Sequence, residues 1–125
     1  MLRECRRVLK PRGSLVVATI EMAERLGAEE RARATELGPE HLGTGGPLRD
    51  LVAQSDFEVV IERDLTDDFR SSLLERLDVL DQRDEELRRA EGHESVDVER
   101  EKRKRMLTAL EEGLLRRTAV VGRAL

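Results

Sequence analysis

LRECRRVLKPRGSLVVATIE, residues 2–21, decides the fold. In its first half Leu2, Cys5, Val8 and Leu9 recur at helical spacing among arginines, and Pro11 stops the helix because its ring clashes with the preceding turn. A Pro11-Arg12-Gly13 turn follows, and then SLVVATI, a continuous β-branched apolar run of strand length with no polar alternation. Such a strand expects cover on both faces. Helix, turn and buried strand in succession predict an α/β chain built on a sheet with parallel strands.

Working outward, Glu21 to about Leu37 sets Met22, Leu26 and Ala34 among alternating Glu and Arg, which predicts an exposed helix interrupted at Gly27 and ended by Gly38-Pro39. GPEHLGTGG is a loop, and Pro47 is placed to open the next helix, PLRDLVAQS, whose inner face is Leu48, Leu51 and Val52. Phe57, Val59 and Ile61 then alternate with Glu58 and Glu62 in FEVVIERDLT, predicting a second strand near 57–63 at a sheet edge. Thr66 reads as an N-cap, with Asp67 and Asp68 favoured by the helix dipole. Phe69, Leu73, Leu77, Leu80 and Leu87 form one apolar stripe, and Met106, Leu107, Leu110 and Leu114 a second beyond a break at Gly92. Residues 67–115 therefore predict a helical hairpin. Asp81 to Arg105 holds nine acidic and eight basic residues, a density that predicts a solvated, projecting segment. RTAVVGRAL predicts a closing strand near 117–122, bounded by Gly122 and able to pair antiparallel with 57–63.

The 125 residues predict a single unit. Lys plus Arg number 23 against 27 Asp plus Glu, a net charge of −4, so no general basic field draws nucleic acid or anionic lipid. The chain has no Trp or Tyr and two Phe, too few flat side chains for a base-stacking platform or an aromatic cage. Cys5 stands alone, so no disulfide forms within the chain, and one Cys with two scattered His does not close a zinc site. No apolar run approaches the roughly 20 residues of a spanning helix. A cytoplasmic protein with no membrane and no nucleic-acid partner is expected.

The opening residues resemble class I S-adenosylmethionine-dependent methyltransferases, from the helix before the fifth strand of that fold through the strand itself. The family pattern is close to L-x-E-x-x-R-V-L-K-P-G-G, matched here by Leu2, Glu4, Arg7, Val8, Leu9, Lys10, Pro11 and Gly13, with Arg12 where glycine is usual. LVAQSDFEVVIERDLTDDF is similar to the family's sixth strand and its approach, with Asp56 in place of a glycine. The segment between DLT and RTAVVGRAL resembles small-molecule methyltransferases of the glycine, sarcosine and ubiquinone-precursor type. The resemblance implies a partial Rossmann-like sheet, the fifth to seventh strands, with the charged hairpin inserted before the last strand as a lid. It also implies S-adenosylmethionine as cofactor of the parent family and a small-molecule substrate.

The family's glycine-rich cofactor loop after the first strand, and the acidic residue ending the second, have no match. Gly43-Thr44-Gly45-Gly46 follows a helix and a Gly-Pro break instead of a strand, the wrong context for a nucleoside cradle. The chain is therefore expected to be the C-terminal portion of such an enzyme, inactive alone, with Met1 as a possible internal start. No catalytic, cofactor or metal residue is assigned. Glu21, directly after the strand, is a substrate-side candidate at the carboxyl end of the sheet, with a helix-start carboxylate as its other reading. His41 is the second candidate, in the loop where family substrates approach; a solvated loop histidine is the other reading. His93 reads as a turn residue, Cys5 as a packing residue, and Lys102 to Arg105 as a solvated helix face. The strand SLVVATI lacks an inner neighbour, which predicts self-association or a complementary chain. An alternative reading makes 67–115 a dimerisation or protein-interaction module.

Overall fold

A computed structural model describes residues 1–125 except His41 and residues 43–45. The elements are α1 (Leu2–Val8), β1 (Ser14–Met22), α2 (Ala28–Leu37), α3 (Leu48–Ala53), β2 (Phe57–Asp64), α4 (Thr66–Gln82), α5 (Asp84–Glu91), α6 (His93–Glu111) and β3 (Leu115–Ala124). The three strands form one sheet in the order β1-β3-β2, and both pairings are antiparallel. The fold is α/β as expected, but the expected parallel pairing is not made. β1 and β2 do share a direction, and β3 lies between them as the central strand. The last strand thus pairs with 57–63 as the sequence predicts, and pairs with β1 as well.

Two turn residues explain how β1 and β2 are entered. Arg12 has φ 67° and Asp56 φ 64°, the left-handed region in which an L side chain is strained. These are the two positions where the methyltransferase pattern carries glycine. The Arg12 turn is held by its own N–H, which donates to the Ala124 carbonyl at 3.0 Å, while the Ala124 N–H donates to the Gly13 carbonyl at 2.8 Å.

The sheet carries a core on each face. On one, Leu48, Val52, Phe57, Val120 and Ala124 are buried, with Leu2, Cys5, Leu9, Leu15 and Val17 packed against them from α1 and β1. Cys5 is a free thiol in that layer. Gly122 lies inside β3 and does not bound it; a Cβ there would sit 3.1 Å from Val52 and 3.3 Å from Phe57, so the glycine lets α3 approach the strand. On the other face Leu73, Leu110, Leu114, Leu115 and Ala34 are buried, joined by Ile20 and Met22 of β1. This second core covers only the carboxyl-end half of β1. Further along the same face Val16 is 70% exposed, so the two-sided cover expected for SLVVATI is half made.

Several boundaries move. β1 runs through Met22, and no helix spans 21–37; α2 begins at Ala28 with Gly27 as its cap, whose N–H donates to Glu30. Leu65, not Thr66, is the N-cap of α4. The Asp64 carboxylate takes over the capping role and accepts the Thr66 N–H at 2.9 Å, while the Thr66 hydroxyl accepts the Arg117 N–H at 3.1 Å. The hairpin has a second break at Arg83, giving three helices. Gly92, with φ 91°, makes the expected one.

The charged stretch from 81 to 105 packs as well as solvates. Leu80 and Val96 are wholly buried, and Arg100 bonds Asp81 and Asp84 across the helices. Arg88 joins Asp84 at 2.9 Å and Asp97 at 2.7 Å, and Arg76 joins Glu99 at 2.7 Å. Charge density at this level is accommodated because the carboxylates and guanidiniums neutralise one another between helices, leaving the leucines free to turn inward.

Candidate functional site

Ligands of open α/β sheets bind beyond the carboxyl ends of the strands. In this chain that place is the end of β1, where Glu21 and Met22 face residues 115 and 116 of β3. A cleft of about 550 Å³ runs beside it between α1, β1 and α3, with Leu2, Val17, Thr19, Glu21 and Leu48 in its walls.

Glu21 is 7% exposed, and its carboxylate is engaged on both oxygens. One accepts the Arg116 Nε–H at 2.8 Å and the Thr118 hydroxyl at 2.9 Å; the other accepts the Leu48 N–H at 2.8 Å. The last bond fixes the first residue of α3, whose backbone N–H has no partner inside its helix. Glu21 therefore ties three elements together at the strand end. It sits on the strand, not at the start of a helix. His41 lies outside the described residues, as do Gly43, Thr44 and Gly45.

Around Glu21 the charges alternate. Arg116 reaches Glu24 at 3.4 Å as well as Glu21 at 2.7 Å, and Arg49 of α3 reaches Glu24 at 2.6 Å and Glu62 of β2 at 3.4 Å. The hydrogen bond from Arg49, then its charge, holds the Glu24 carboxyl below the usual carboxylate range, with Arg116 adding to it. Arg49 is raised in turn by Glu24 and then Glu62. Asp64 is lowered by the two hydrogen bonds it accepts from Thr66. Arg49, Glu24, Arg116 and Thr118 are residues that sequence reasoning missed. The register Glu21↔Arg116, a cross-strand opposite-charge pair, was the one signal available, and it required knowing that β1 pairs with the last strand.

A second hollow, about 650 Å³, opens between α4 and α6 over Phe69, Leu73, Val98 and Met106, with Lys102 and Arg103 at its edge. Its lining comes from α4 and α6 alone, whereas that of the cleft beside Glu21 includes β1. Among the described residues no group of three or more His, Cys, Asp or Glu is arranged to hold a metal ion. No helix is long and apolar enough to cross a membrane among them.

Gly13 precedes β1 in a tight turn, where a Cβ would lie 2.9 Å from the Lys10 carbonyl oxygen. Gly46 has open space where a Cβ would sit and lines the cleft beside Glu21. Glu21, the acidic residue at a strand end, has its carboxylate occupied by donors of the chain itself.

No protein-family model and no curated protein matches the sequence. Solved structures do match the fold. A protein assigned as a sarcosine dimethylglycine methyltransferase, from Galdieria sulphuraria, superposes with a TM-score of 0.82 at 18% identity over 98% of this chain and 45% of its own. A phosphoethanolamine N-methyltransferase of Haemonchus contortus, in complex with phosphomonomethylethanolamine and S-adenosylhomocysteine, gives 0.79 at 14% identity over 98% of this chain and 29% of its own. A cyclopropane synthase of Mycobacterium tuberculosis gives 0.76 at 14% identity over 98% and 48%. The chain thus spans less than half the length of each of these three structures, and its fold is that of the matching part of these proteins, two of which are methyltransferases.

Proposed function

We propose that the chain is the C-terminal, substrate-side portion of a S-adenosylmethionine-dependent methyltransferase of the cytoplasm acting on a small molecule, and that it has no methyltransferase activity alone. The observation that carries this reading is the coincidence at Arg12 and Asp56. Both sit at positive φ at turns where the resemblance calls for glycine, so the backbone keeps the family's geometry where the side chains have left it. The fold match over 98% of the chain supports it independently. In this reading Glu21 holds α3 against the strand end and so shapes the acceptor side of the site, and His41 is kept as the second substrate-side candidate. The donor's position comes from a complementary segment beyond the free edge of β1, because catalysis of methyl transfer depends on holding donor and acceptor in line.

Thermal melting of the chain with S-adenosylhomocysteine tests it. A ligand held at 100 times its dissociation constant would stabilise the fold by about 2.7 kcal/mol, so even modest affinity is visible. No shift is expected for this chain alone. A saturable rise in melting temperature would overturn the claim that the cofactor half lies elsewhere. The mass of the protein isolated from its native source is the companion measurement: a species well above 14.2 kDa that transfers labelled methyl groups to small amines supports the reading.

The groove over Phe69 and Met106, with Val98 46% exposed, favours a second reading in which residues 67–115 are a protein-interaction module. Tight partner binding with no response to any adenosyl compound would select it.

A further inference from the structure

The tip of the helical hairpin is jointed twice. Arg83 ends α4 and opens α5, and Gly92 ends α5 and opens α6. Gly92 has φ 91°, a left-handed value that suits glycine, and a Cβ there would meet nothing within 4 Å, so no neighbour braces this joint. The helix between the joints has little apolar anchorage. Within the described residues α5 buries none of its eight side chains, whereas α4 buries Leu73 and Leu80 and α6 buries Val96, Ala109 and Leu110. It nevertheless packs against both neighbours.

Two arginines tie it down, each across one joint. Arg100 of α6 straddles Arg83: it donates to the Leu80 carbonyl at 3.3 Å and to Asp81 on the α4 side, and to Asp84 on the α5 side at 3.2 Å. Arg88 of α5 straddles Gly92: it bonds Asp84 in its own helix at 2.9 Å, and beyond the glycine it reaches the His93 carbonyl at 3.4 Å and Asp97 at 2.7 Å. Asp84 is common to both clusters. The arginine side chains are largely covered, but Asp81 is 68% and Asp97 62% exposed, so ions from solution reach these pairs from the acid side and screen them. The pairs Arg89–Glu85 and Arg83–Glu86 run along α5 and its first joint and hold it to neither neighbour.

We propose that α5 is a flap latched by Arg88 and Arg100, that it opens at Arg83 and Gly92 separately from the rest of the fold, and that ionic strength sets how often it opens. Segments with few buried apolar contacts are the ones that open locally, and a helix of eight residues is marginal by itself, so release also frays it. Leu80 and Val96, wholly buried about one turn from the two joints, are the apolar side chains that the opening reaches. The latch is built within residues 80–100 and owes nothing to a face left open elsewhere on the chain. It goes beyond the proposed function, since it needs neither cofactor nor substrate.

Amide hydrogen exchange of the whole chain at fixed pH, in about 0.05 M and about 1 M sodium chloride, tests it. The amides of Leu87 to Gly92 are expected to exchange faster than those of Leu73 to Leu80 at low salt, and to gain about a further fivefold against them at high salt. Asp97→Asn removes a tie across Gly92 and leaves α5 itself intact, so it brings the low-salt rate of the segment close to the high-salt rate while α4 exchanges as before. Arg88→Gln does the same. Arg89→Gln, which removes a pair lying within α5, keeps the salt response. Residues 84–91 that exchange only together with α4 would overturn the proposal, because no separate opening then exists. So would an opening indifferent both to salt and to Asp97→Asn.

Discussion

The Glu21 carboxylate accepts a hydrogen bond of 2.8 Å from the Leu48 backbone N–H, joining the end of β1 to the start of α3. Its other oxygen is shared by Arg116 and Thr118. Removing this carboxylate strands one buried N–H and one hydroxyl and leaves Arg116 only its 3.4 Å contact with Glu24. Glu21→Ala is expected to cost about 3 kcal/mol, the loss typical of breaking a buried pair from one side. That corresponds to a fall of roughly 10 °C in melting temperature for a chain of this size. Glu21→Gln, which keeps acceptor capacity on one atom, should lose less. Melts of the two variants within about 2 °C of the parent would remove Glu21 as the tie between these elements.

Arg12 and Asp56 predict stabilising substitutions. Relief of a left-handed backbone yields about 1–2 kcal/mol, and the added freedom of glycine in the unfolded chain takes back about 0.4–1. Arg12→Gly should therefore gain about 0.5–1 kcal/mol. Asp56→Gly should gain less, since aspartate tolerates this region better than arginine. Urea midpoints at constant slope measure both. A loss at Arg12 would mean that the turn is not in the left-handed region.

Gly122→Ala places a methyl group 3.1 Å from Val52 and should cost about 1–3 kcal/mol by overpacking. Trimming the neighbour with Val52→Ala makes room, so the double variant should lose less than the sum of the singles. Additive losses would show that the glycine serves something other than the approach of α3.

The acid response of the helices follows from the arginine pairs. Asp84 and Asp97 are held below the ordinary 3.8 chiefly by hydrogen bonds from Arg88, and Glu99 below the ordinary 4.5 by Arg76. Groups depressed in the fold contribute stability that is complete above the unfolded values and lost as pH falls through the folded ones. The urea midpoint should thus hold down to about pH 4.5 and decline below it. Salt should blunt the decline, because these pairs are open to solvent. A midpoint that rises on acidification would contradict the assignment.

The same helices have an interior that charge density conceals. Leu80 is fully buried and Leu74 is 46% exposed, so Leu80→Ala should cost about 3 kcal/mol and Leu74→Ala less than about 0.5. Equal effects on the denaturation midpoint would mean that α4 does not pack by this face.

How much of this was legible is clearest residue by residue. The strands were readable from SLVVATI and FEVVIERD, and the leucine stripes from their spacing, because both depend on local periodicity. The central place of β3 was half readable: its antiparallel pairing with 57–63 was read as open to a short β-branched closing strand, whereas its pairing with β1 joins Ser14 to Arg123, a separation no local pattern encodes. Glu21 was singled out by its position at a strand end, but the Arg116, Thr118 and Leu48 donors that occupy it come from distant segments. Pro47 and Thr66 were assigned to helix starts one residue out of place, since caps are decided by individual hydrogen bonds such as Asp64 to Thr66. The depth of Val96 was hidden by its charged neighbours.

The placing of β3 between β1 and β2 also sets a timetable. Neither outer strand has a ladder partner among the described residues until residues 115–124 have been synthesised, and β1 waits through some ninety residues of intervening chain. Closing so long a loop before any sheet hydrogen bond forms makes for slow folding. During that interval the outer edges of β1 and β2 have no strand partner among the described residues. The helices α4 to α6, made of local contacts, can form first, and the last strand to leave the ribosome is the one that turns separate segments into a sheet.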